Sequence, residues 1–276
     1  LRSLFLKIES LIEWLYFEIM KRIQGLMNLK GRRALITGAS GGIGKQIAYS
    51  IAEAGGDLFL LDMPNAEYDQ DFYKLKDLFD IKVDFFQCDL ESEIQRKLTI
   101  NSLNKRADNI DILINNAAFV GETKLDGWVV EFKDQSIDVW RRALEVNLTA
   151  IFHLTQGLVE KLSQSGSGSI INIASIYGSV GPDHSLYEGT TMGNPAGYAA
   201  SKGGLIQLTR WLSTTLAPDI RVNSISPGGV YRSQSDKFVK KYIQKTPLKR
   251  MATEEDLKGG IIYLASDLSS YVTGQN

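Results

Sequence analysis

Short apolar runs alternate with helix-like segments along the chain from residue 30 onward. The segments after the runs have the apolar spacing of helices, and the runs themselves predict strands at 32–37, 57–62, 81–89, 110–118, 168–175 and 220–229. This alternation is typical of a parallel sheet, and near-continuous apolar strands indicate that helices cover both faces. We therefore predict an α/β fold with one doubly wound domain over residues 29–276.

A glycine-rich turn, TGASGGIG at 37–44, separates the first predicted strand from the first predicted helix. Gly38 suits a tight turn, while Gly42 and Gly44 allow a ligand to approach the backbone and the helix to pack on the strand. The free amides at the start of that helix favour a pyrophosphate. This context predicts a Rossmann-like dinucleotide-binding site.

Asp62 ends the second predicted strand, DLFLLD. A carboxylate at this position can accept a hydrogen bond from a ribose 2′-hydroxyl, and its charge repels a 2′-phosphate. Neither the glycine turn nor the segment directly after Asp62 contains Arg or Lys. The pattern favours NAD over NADP as the cofactor.

Tyr198 and Lys202 lie four residues apart in NPAGYAASKGG, at 194–204. On a helix this spacing places both side chains on one face. A Lys cation beside a Tyr favours the phenolate, so the pair suits proton transfer during hydride chemistry on a carbonyl. The spacing alone fits an ordinary amphipathic helix as well.

Composition excludes several classes of function. A formal net charge of −1 over 276 residues gives no sign of a nucleic-acid partner. The single cysteine allows no disulfide within the chain and fits the cytoplasm. With only two histidines beside it, we predict no metal site.

Residues 1–28 have apolar side chains at helical spacing, interrupted by charged ones. The charges exclude a transmembrane span, and the segment lacks a signal-peptide cleavage site. We predict an amphipathic N-terminal helix that packs on the domain or on a partner subunit. Binding to a membrane surface is the alternative, against which the acidic residues argue.

Several motifs in one order give the chain its resemblance to the short-chain dehydrogenase/reductase family. They are TGASGGIG, CDL with Asp89, NNAA at 115–118, EVNLTA with Asn147, NIASIYG with Ser175, YAASK with Tyr198 and Lys202, and SPGG at 226–229. The resemblance covers residues 30–276. It implies an enzyme that moves a hydride between a nicotinamide and an alcohol or ketone, and that forms a homodimer or homotetramer.

The resemblance also implies the site residues. The catalytic tetrad would be Asn147, Ser175, Tyr198 and Lys202, with Tyr198 as general acid or base. Ser175 would hold the substrate oxygen and Asn147 a water that links Lys202 to solvent. The cofactor would contact Gly38, Ser40, Gly42, Ile43, Gly44, Asp62, Asp89, Leu90, Asn116, Ala117, Pro227, Gly228 and Val230, with Asp89 at the adenine and Pro227 and Gly228 beside the nicotinamide.

Three further segments, 127–148, 176–197 and 226–252, resemble dehydrogenases of flagellin-sugar and nonulosonic acid biosynthesis. This implies a sugar or sugar phosphate as the substrate. Candidate substrate contacts are Asp183, His184, Tyr187, Glu188, Tyr231, Arg232 and Gln234, with Arg232 first as a phosphate ligand because its fork can bind two oxygens. The sequence stops at VTGQN, whereas family members continue into a final strand, which we therefore expect to be missing.

Two other functions stay open. The first is a general carbonyl or 3-oxoacyl reductase of the same family, against which the polar segment GPDHSLYEGTT at 181–191 argues. The second is a non-catalytic NAD-binding scaffold attached through residues 1–28. The intact Tyr198 and Lys202 pair argues against a scaffold.

Overall fold

The computed structural model describes residues 22–120 and 125–276. In this part of the chain six strands form one sheet: β1 Arg33–Thr37, β2 Asp57–Asp62, β3 Val83–Gln87, β4 Ile112–Asn115, β5 Gly168–Ile173 and β6 Ile220–Ile225. All neighbours pair in parallel, in the order β3-β2-β1-β4-β5-β6. The doubly wound α/β fold predicted from the alternating pattern is confirmed.

The helices lie between and after the strands. They are α1 Ile23–Met27, α2 Gly42–Glu53, α3 Gln70–Phe79, α4 Glu93–Arg106, α5 Ile137–Leu144, α6 Ala150–Gln164, α7 Ala196–Thr215, α8 Asp236–Lys245 and α9 Lys258–Ala265. A short 3₁₀ turn, Glu254–Leu257, precedes α9. A π-helical turn, Glu145–Thr149, joins α5 to α6, so these two helices follow one another without a loop between them.

The core consists of two apolar layers, one on each face of the sheet. Alternate residues of a strand point to opposite faces, so Leu60 of β2 packs in one layer and Phe59 in the other. Helices α2, α3 and α9 cover the first face, while α4, α6 and α7 cover the second. Helices therefore cover both faces of the sheet, as the continuous apolar strands predicted.

Four of the predicted strands extend too far at their carboxyl ends. The sheet pairing stops at Gln87, Asn115, Ile173 and Ile225, two to four residues before the predicted ends of these strands. The residues that follow leave the sheet and turn into the cavity described below. The apolar pattern did not reveal this change, because most of these residues, apart from Asp89 and Asn116, are also small or apolar.

The two ends of the chain bear on two further predictions. Of the predicted helix 1–28, only α1 falls within the described residues, so that prediction stays open. At the other end, Gly274 N donates to Val222 O at 2.7 Å and Ser224 N donates to Gln275 O at 2.8 Å, so residues 274 and 275 hydrogen-bond to β6 without forming a strand. Over 22–120 and 125–276, every helix is too short or too polar to cross a membrane.

Candidate active site

The sheet changes its winding direction between β1 and β4, and this creates a crevice. Successive strands proceed outward from β1 on one side and from β4 on the other, so the loops that follow these two strands separate. Gly38, after β1, has a φ of 63°, and a Cβ there would lie 2.8 Å from the Cα of Ala117, after β4. Only glycine fits this close approach.

A cavity of about 730 Å³ follows the carboxyl edge of the sheet through this crevice. It is large enough for a dinucleotide-sized ligand. Twelve predicted cofactor residues line it: Gly38, Ser40, Ile43, Gly44, Asp62, Asp89, Leu90, Asn116, Ala117, Pro227, Gly228 and Val230. Ser175, Tyr198 and Lys202 line the same cavity, whereas Gly42 and Asn147 are outside its lining.

The glycine turn fits the pyrophosphate of a dinucleotide. Helix α2 begins at Gly42, and its first amides are free to bind an anion. A Cβ on Gly44 would lie 2.0 Å from the carbonyl oxygen of Gly38, so only glycine allows the helix to start this close to the strand. Asn116 Nδ2 donates to Thr37 O at 3.0 Å and to Gly38 O at 2.9 Å, which holds the turn against the loop after β4.

Asp62 lies at the cavity wall with its carboxylate fixed. Its Oδ2 accepts hydrogen bonds from the amide and the hydroxyl of Ser40, each at 2.8 Å. Its Oδ1 accepts one from the amide of Met63 at 2.8 Å. The carboxylate is thus held at the end of β2, where a ribose 2′-hydroxyl would donate to it.

Tyr198 and Lys202 lie one turn apart on α7, as their spacing predicted. The Nζ of Lys202 is 5.9 Å from the centroid of the Tyr198 ring. Lys202 is only 2 % exposed, and its Nζ donates to the carbonyl oxygen of Ile173 at 2.7 Å. Few lysines are this buried, because removing an ammonium ion from water is costly.

Burial shifts both titratable groups toward their neutral forms. It lowers the pKa of Lys202 to about 8. Burial also raises the pKa of the Tyr198 phenol, and a hydrogen bond with the side chain of Ser175 partly opposes that rise. The hydroxyl of Ser175, just beyond the end of β5, therefore favours the ionised form of the phenol.

Asn147 lies in the π-helical turn, fully buried behind the cavity. Its Oδ1 accepts from the amide of Phe119 at 2.5 Å, and its Nδ2 donates to the carbonyl of Phe119 at 3.2 Å. The same Nδ2 donates to Ser201 Oγ at 3.0 Å. Asn147 thus ties the loop after β4 to α7, directly beside Lys202, and π turns of this kind frequently mark functional sites.

Sequence reasoning missed Arg96, which is 2 % exposed. Its guanidinium donates to Leu90 O at 2.5 Å, to Glu145 Oε1 at 2.6 Å and to His153 Nδ1 at 3.1 Å. One buried cation therefore joins the cavity wall at Leu90 to the π turn and to α6. The available signal was its position on the apolar face of α4, four residues before Ile100.

Several of the predicted substrate contacts also have partners within the protein. Asp183 pairs with Lys245, and Glu188 pairs with Lys241 at 3.3 Å. The hydroxyls of Tyr177 and Tyr187 lie 2.8 Å apart. The acidic residues of the loop 176–195 therefore hold it to α8, and the two phenols bond to each other within the loop.

Arg232 was expected to bind a phosphate of the substrate. The structure places its guanidinium over the first residue of α2: Nη2 would be 3.3 Å from a Cβ on Gly42, and Nε is 3.3 Å from Glu254 Oε1. Arg232 lines the cavity together with Gln234. The segment after β6 runs across the start of α2. Arg232 therefore lies beside the glycine turn.

Comparison with known proteins supports the geometry. Residues 38–276 match the family described as Enoyl-(Acyl carrier protein) reductase. The chain is 34% identical over 257 residues to the 3-oxoacyl-[acyl-carrier-protein] reductase of Rickettsia felis, covering 91% of this chain and 95% of that protein.

Two solved structures are similar over nearly the whole chain. A short chain dehydrogenase from Leptospira borgpetersenii with bound NAD+ is 33% identical with a TM-score of 0.79, covering 94% of each chain. A gluconate 5-dehydrogenase from Burkholderia cenocepacia in complex with NADP and tartrate is 28% identical with a TM-score of 0.79, covering 92% of this chain and 95% of that one.

Proposed function

The chain belongs to the short-chain dehydrogenase/reductase family and is an NAD(P)-dependent oxidoreductase, and we propose that it uses NAD to interconvert a sugar-derived alcohol and its ketone. The observation that carries the proposal is a shared cavity. Ser175, Tyr198 and Lys202 line one part of it, and the glycine turn and Asp62 line the rest. The residues that would bind a dinucleotide and those that would move a proton therefore face one another.

The four predicted catalytic residues have complementary roles in this proposal. A bound nicotinamide supplies or accepts the hydride at the substrate carbon. Tyr198 gives the proton to the substrate oxygen or removes it, while the Ser175 hydroxyl donates a hydrogen bond to the same oxygen. Lys202, when charged, favours the phenolate that oxidation needs. Asn147 positions α7 and the loop after β4 around them.

The preference for NAD rests on Asp62. Its carboxylate is fixed by Ser40 and Met63, so it cannot swing away from a 2′-phosphate without losing three hydrogen bonds. A phosphate placed there would face an uncompensated negative charge. The solved relatives hold NAD+ in one case and NADP in the other, so the family itself allows both cofactors.

A polyhydroxylated substrate suits the polar loop 176–195. The hydroxyls of Tyr177 and Tyr187 lie near Tyr198, and they offer hydrogen bonds to substrate hydroxyls. The similar gluconate 5-dehydrogenase, named for a sugar acid, adds support. The second candidate is a 3-oxoacyl reductase, which the similarity to the Rickettsia felis enzyme favours.

We also propose that the protein is cytoplasmic and that it associates with copies of itself. Ile94 and Leu98 on α4, and Trp211 on α7, are large apolar side chains that are more than half exposed, as expected of surfaces that another subunit covers. We therefore infer a homodimer or homotetramer. Light scattering on the purified protein tests it, and a monomer at micromolar concentration would contradict it.

A substrate panel tests the function directly. Purified protein is mixed with NAD or NADP and with hexoses, amino sugars, their phosphates and simple alcohols, and the appearance of reduced cofactor is followed by fluorescence. The reverse assay offers NADH or NADPH with keto sugars and with a 3-oxoacyl thioester. Turnover of a sugar with NAD supports the proposal, whereas turnover of the thioester alone selects the second candidate. The Tyr198→Phe variant serves as the inactive control in every assay.

A further inference from the structure

We propose that Arg232 binds the pyrophosphate of the cofactor over the start of α2, and that Glu254 competes with the pyrophosphate for the same guanidinium. Four observations lead to this assignment. They are the position of the Arg232 side chain, the hydrogen bonds that hold its backbone, its weak ion pair with Glu254, and the charges around it.

The Arg232 side chain lies where a dinucleotide pyrophosphate binds in this fold. The Nη2 atom would be 3.3 Å from a Cβ on Gly42, the first residue of the 12-residue helix α2. The cavity that Arg232 lines also includes Gly41 and Ile43, on either side of Gly42. An anion bound to the first amides of α2 would therefore lie within reach of the guanidinium.

The backbone of Arg232 is fixed while its side chain is not. Tyr231 N donates to Ala252 O at 2.8 Å, and Ala252 N donates to Gly229 O at 3.0 Å. The Arg232 amide donates to Gln234 Oε1 at 2.7 Å. The Arg232 side chain is about half exposed, at 49%. It can reorient toward a ligand without moving the chain.

Two arginine–carboxylate pairs rest on the same 3₁₀ turn, and they differ in strength. Arg250 donates to both oxygens of Asp256, at 2.5 Å and 2.7 Å. Arg232 reaches Glu254 through Nε alone, at 3.3 Å. A bidentate pair is strong and directional, whereas a single exposed contact contributes little. Arg232 is thus the arginine that a phosphate can recruit.

The carboxylate of Glu254 lies where a bound anion would lie. Its Oε1 would be 2.9 Å from a Cβ on Gly42, so a carboxylate already lies beside the start of α2 and contacts Arg232. The positive end of the helix favours such a charge. A pyrophosphate would replace the carboxylate at both partners, and the two anions would repel each other. Removing the charge of Glu254 should therefore strengthen nucleotide binding, while removing that of Arg232 should weaken it.

Calorimetry with ADP, and displacement of NADH fluorescence by adenosine, separate the phosphate contact from the rest of the site. Arg232→Ala should weaken ADP and NADH binding about tenfold or more, because a charge-assisted contact is lost. Adenosine, which has no phosphate, should bind as before. Glu254→Gln should bind ADP more tightly than the unmodified protein. Arg250→Ala is the matched control and should leave ADP binding unchanged, since its residue is outside the cavity lining.

Three results would overturn the proposal. Arg232→Ala could weaken adenosine and ADP equally, which would mean that the side chain only supports the fold. It could leave ADP binding intact and raise the KM of a phosphorylated substrate, which would assign the arginine to the substrate. Glu254→Gln could weaken ADP as Arg232→Ala does, which would mean that the ion pair itself is needed.

Discussion

Lys202 donates a hydrogen bond from Nζ to the carbonyl oxygen of Ile173 at 2.7 Å, in a place where the side chain is almost wholly buried. One hydrogen bond is small compensation for the hydration that the ammonium ion loses. The position is therefore costly to the fold. A residue kept at such a cost is expected to serve function rather than stability.

Replacing Lys202 by Met should stabilise the protein at neutral pH while abolishing turnover. Burial lowers the pKa from 10.5 to about 8, so the charged form costs about 3 kcal/mol in the fold. Between those pH values the unfolded chain holds the proton and the folded chain does not, so stability of the unmodified protein rises with pH. The advantage of Lys202→Met in urea unfolding should hence be greatest below pH 8 and shrink toward pH 10. An advantage independent of pH would contradict this.

Tyr198→Phe should lower kcat by a factor of about 10²–10⁴, the usual contribution of a general acid or base. The cavity keeps its shape, because only the phenol hydroxyl is lost. NADH binding, followed by fluorescence, should change little. Tyr271→Phe, at a fully exposed position, is the control and should be fully active. Comparable turnover in the two variants would show that Tyr198 does not transfer the proton.

Asp62→Ala should shift the cofactor preference toward NADP. The substitution removes an acceptor for the ribose and a charge that repels a 2′-phosphate. We expect the ratio of kcat/KM for NAD over NADP to fall about tenfold or more, because NAD would bind more weakly and NADP more tightly. Asp84→Ala, at an exposed position on the neighbouring strand β3, should leave the ratio unaltered. If the two variants gave the same ratio, the reading of Asp62 would be wrong.

Gly44→Ala should destabilise the fold by about 2–4 kcal/mol, since the new Cβ would lie 2.0 Å from the backbone oxygen of Gly38. Gly259→Ala is the helical control: apart from its chain neighbours and its own helix backbone, no described atom lies within 4 Å of its Cβ position, so stability should rise by up to about 1 kcal/mol. Thermal unfolding compares the two. A tolerated Gly44→Ala would show that α2 can shift away from β1.

The sequence predicted those parts of the site that follow from the spacing within one helix or from the parallel order of the strands. Tyr198 and Lys202 share a helix face because four residues make about one turn. Asp62 lies at the cavity because parallel strands end at one edge of the sheet. Neither inference needed knowledge of distant segments.

Sequence could not predict contacts that depend on how separate elements meet. Two of the three partners of Arg96, Glu145 and His153, lie 49 and 57 residues away along the chain, so no local pattern joins them to it. The direction of Arg232 depends on the bridge between Val230 and Ala252, which fixes where that segment crosses α2. The predicted strands were too long for a related reason. Residues that line a cavity can be as apolar as residues that line a core.

Arg96 has a consequence for engineering the cofactor site. A buried guanidinium becomes an uncompensated charge when one of its partners is removed, so Leu90, Glu145 and His153 constrain one another through it. A loop graft that changes the wall around Leu90 would disturb the π-helical turn that carries Asn147, which is buried behind the cavity. Cofactor exchange in this scaffold should accordingly transplant 89–96 and 145–153 as one module, and leave neither half to adapt alone.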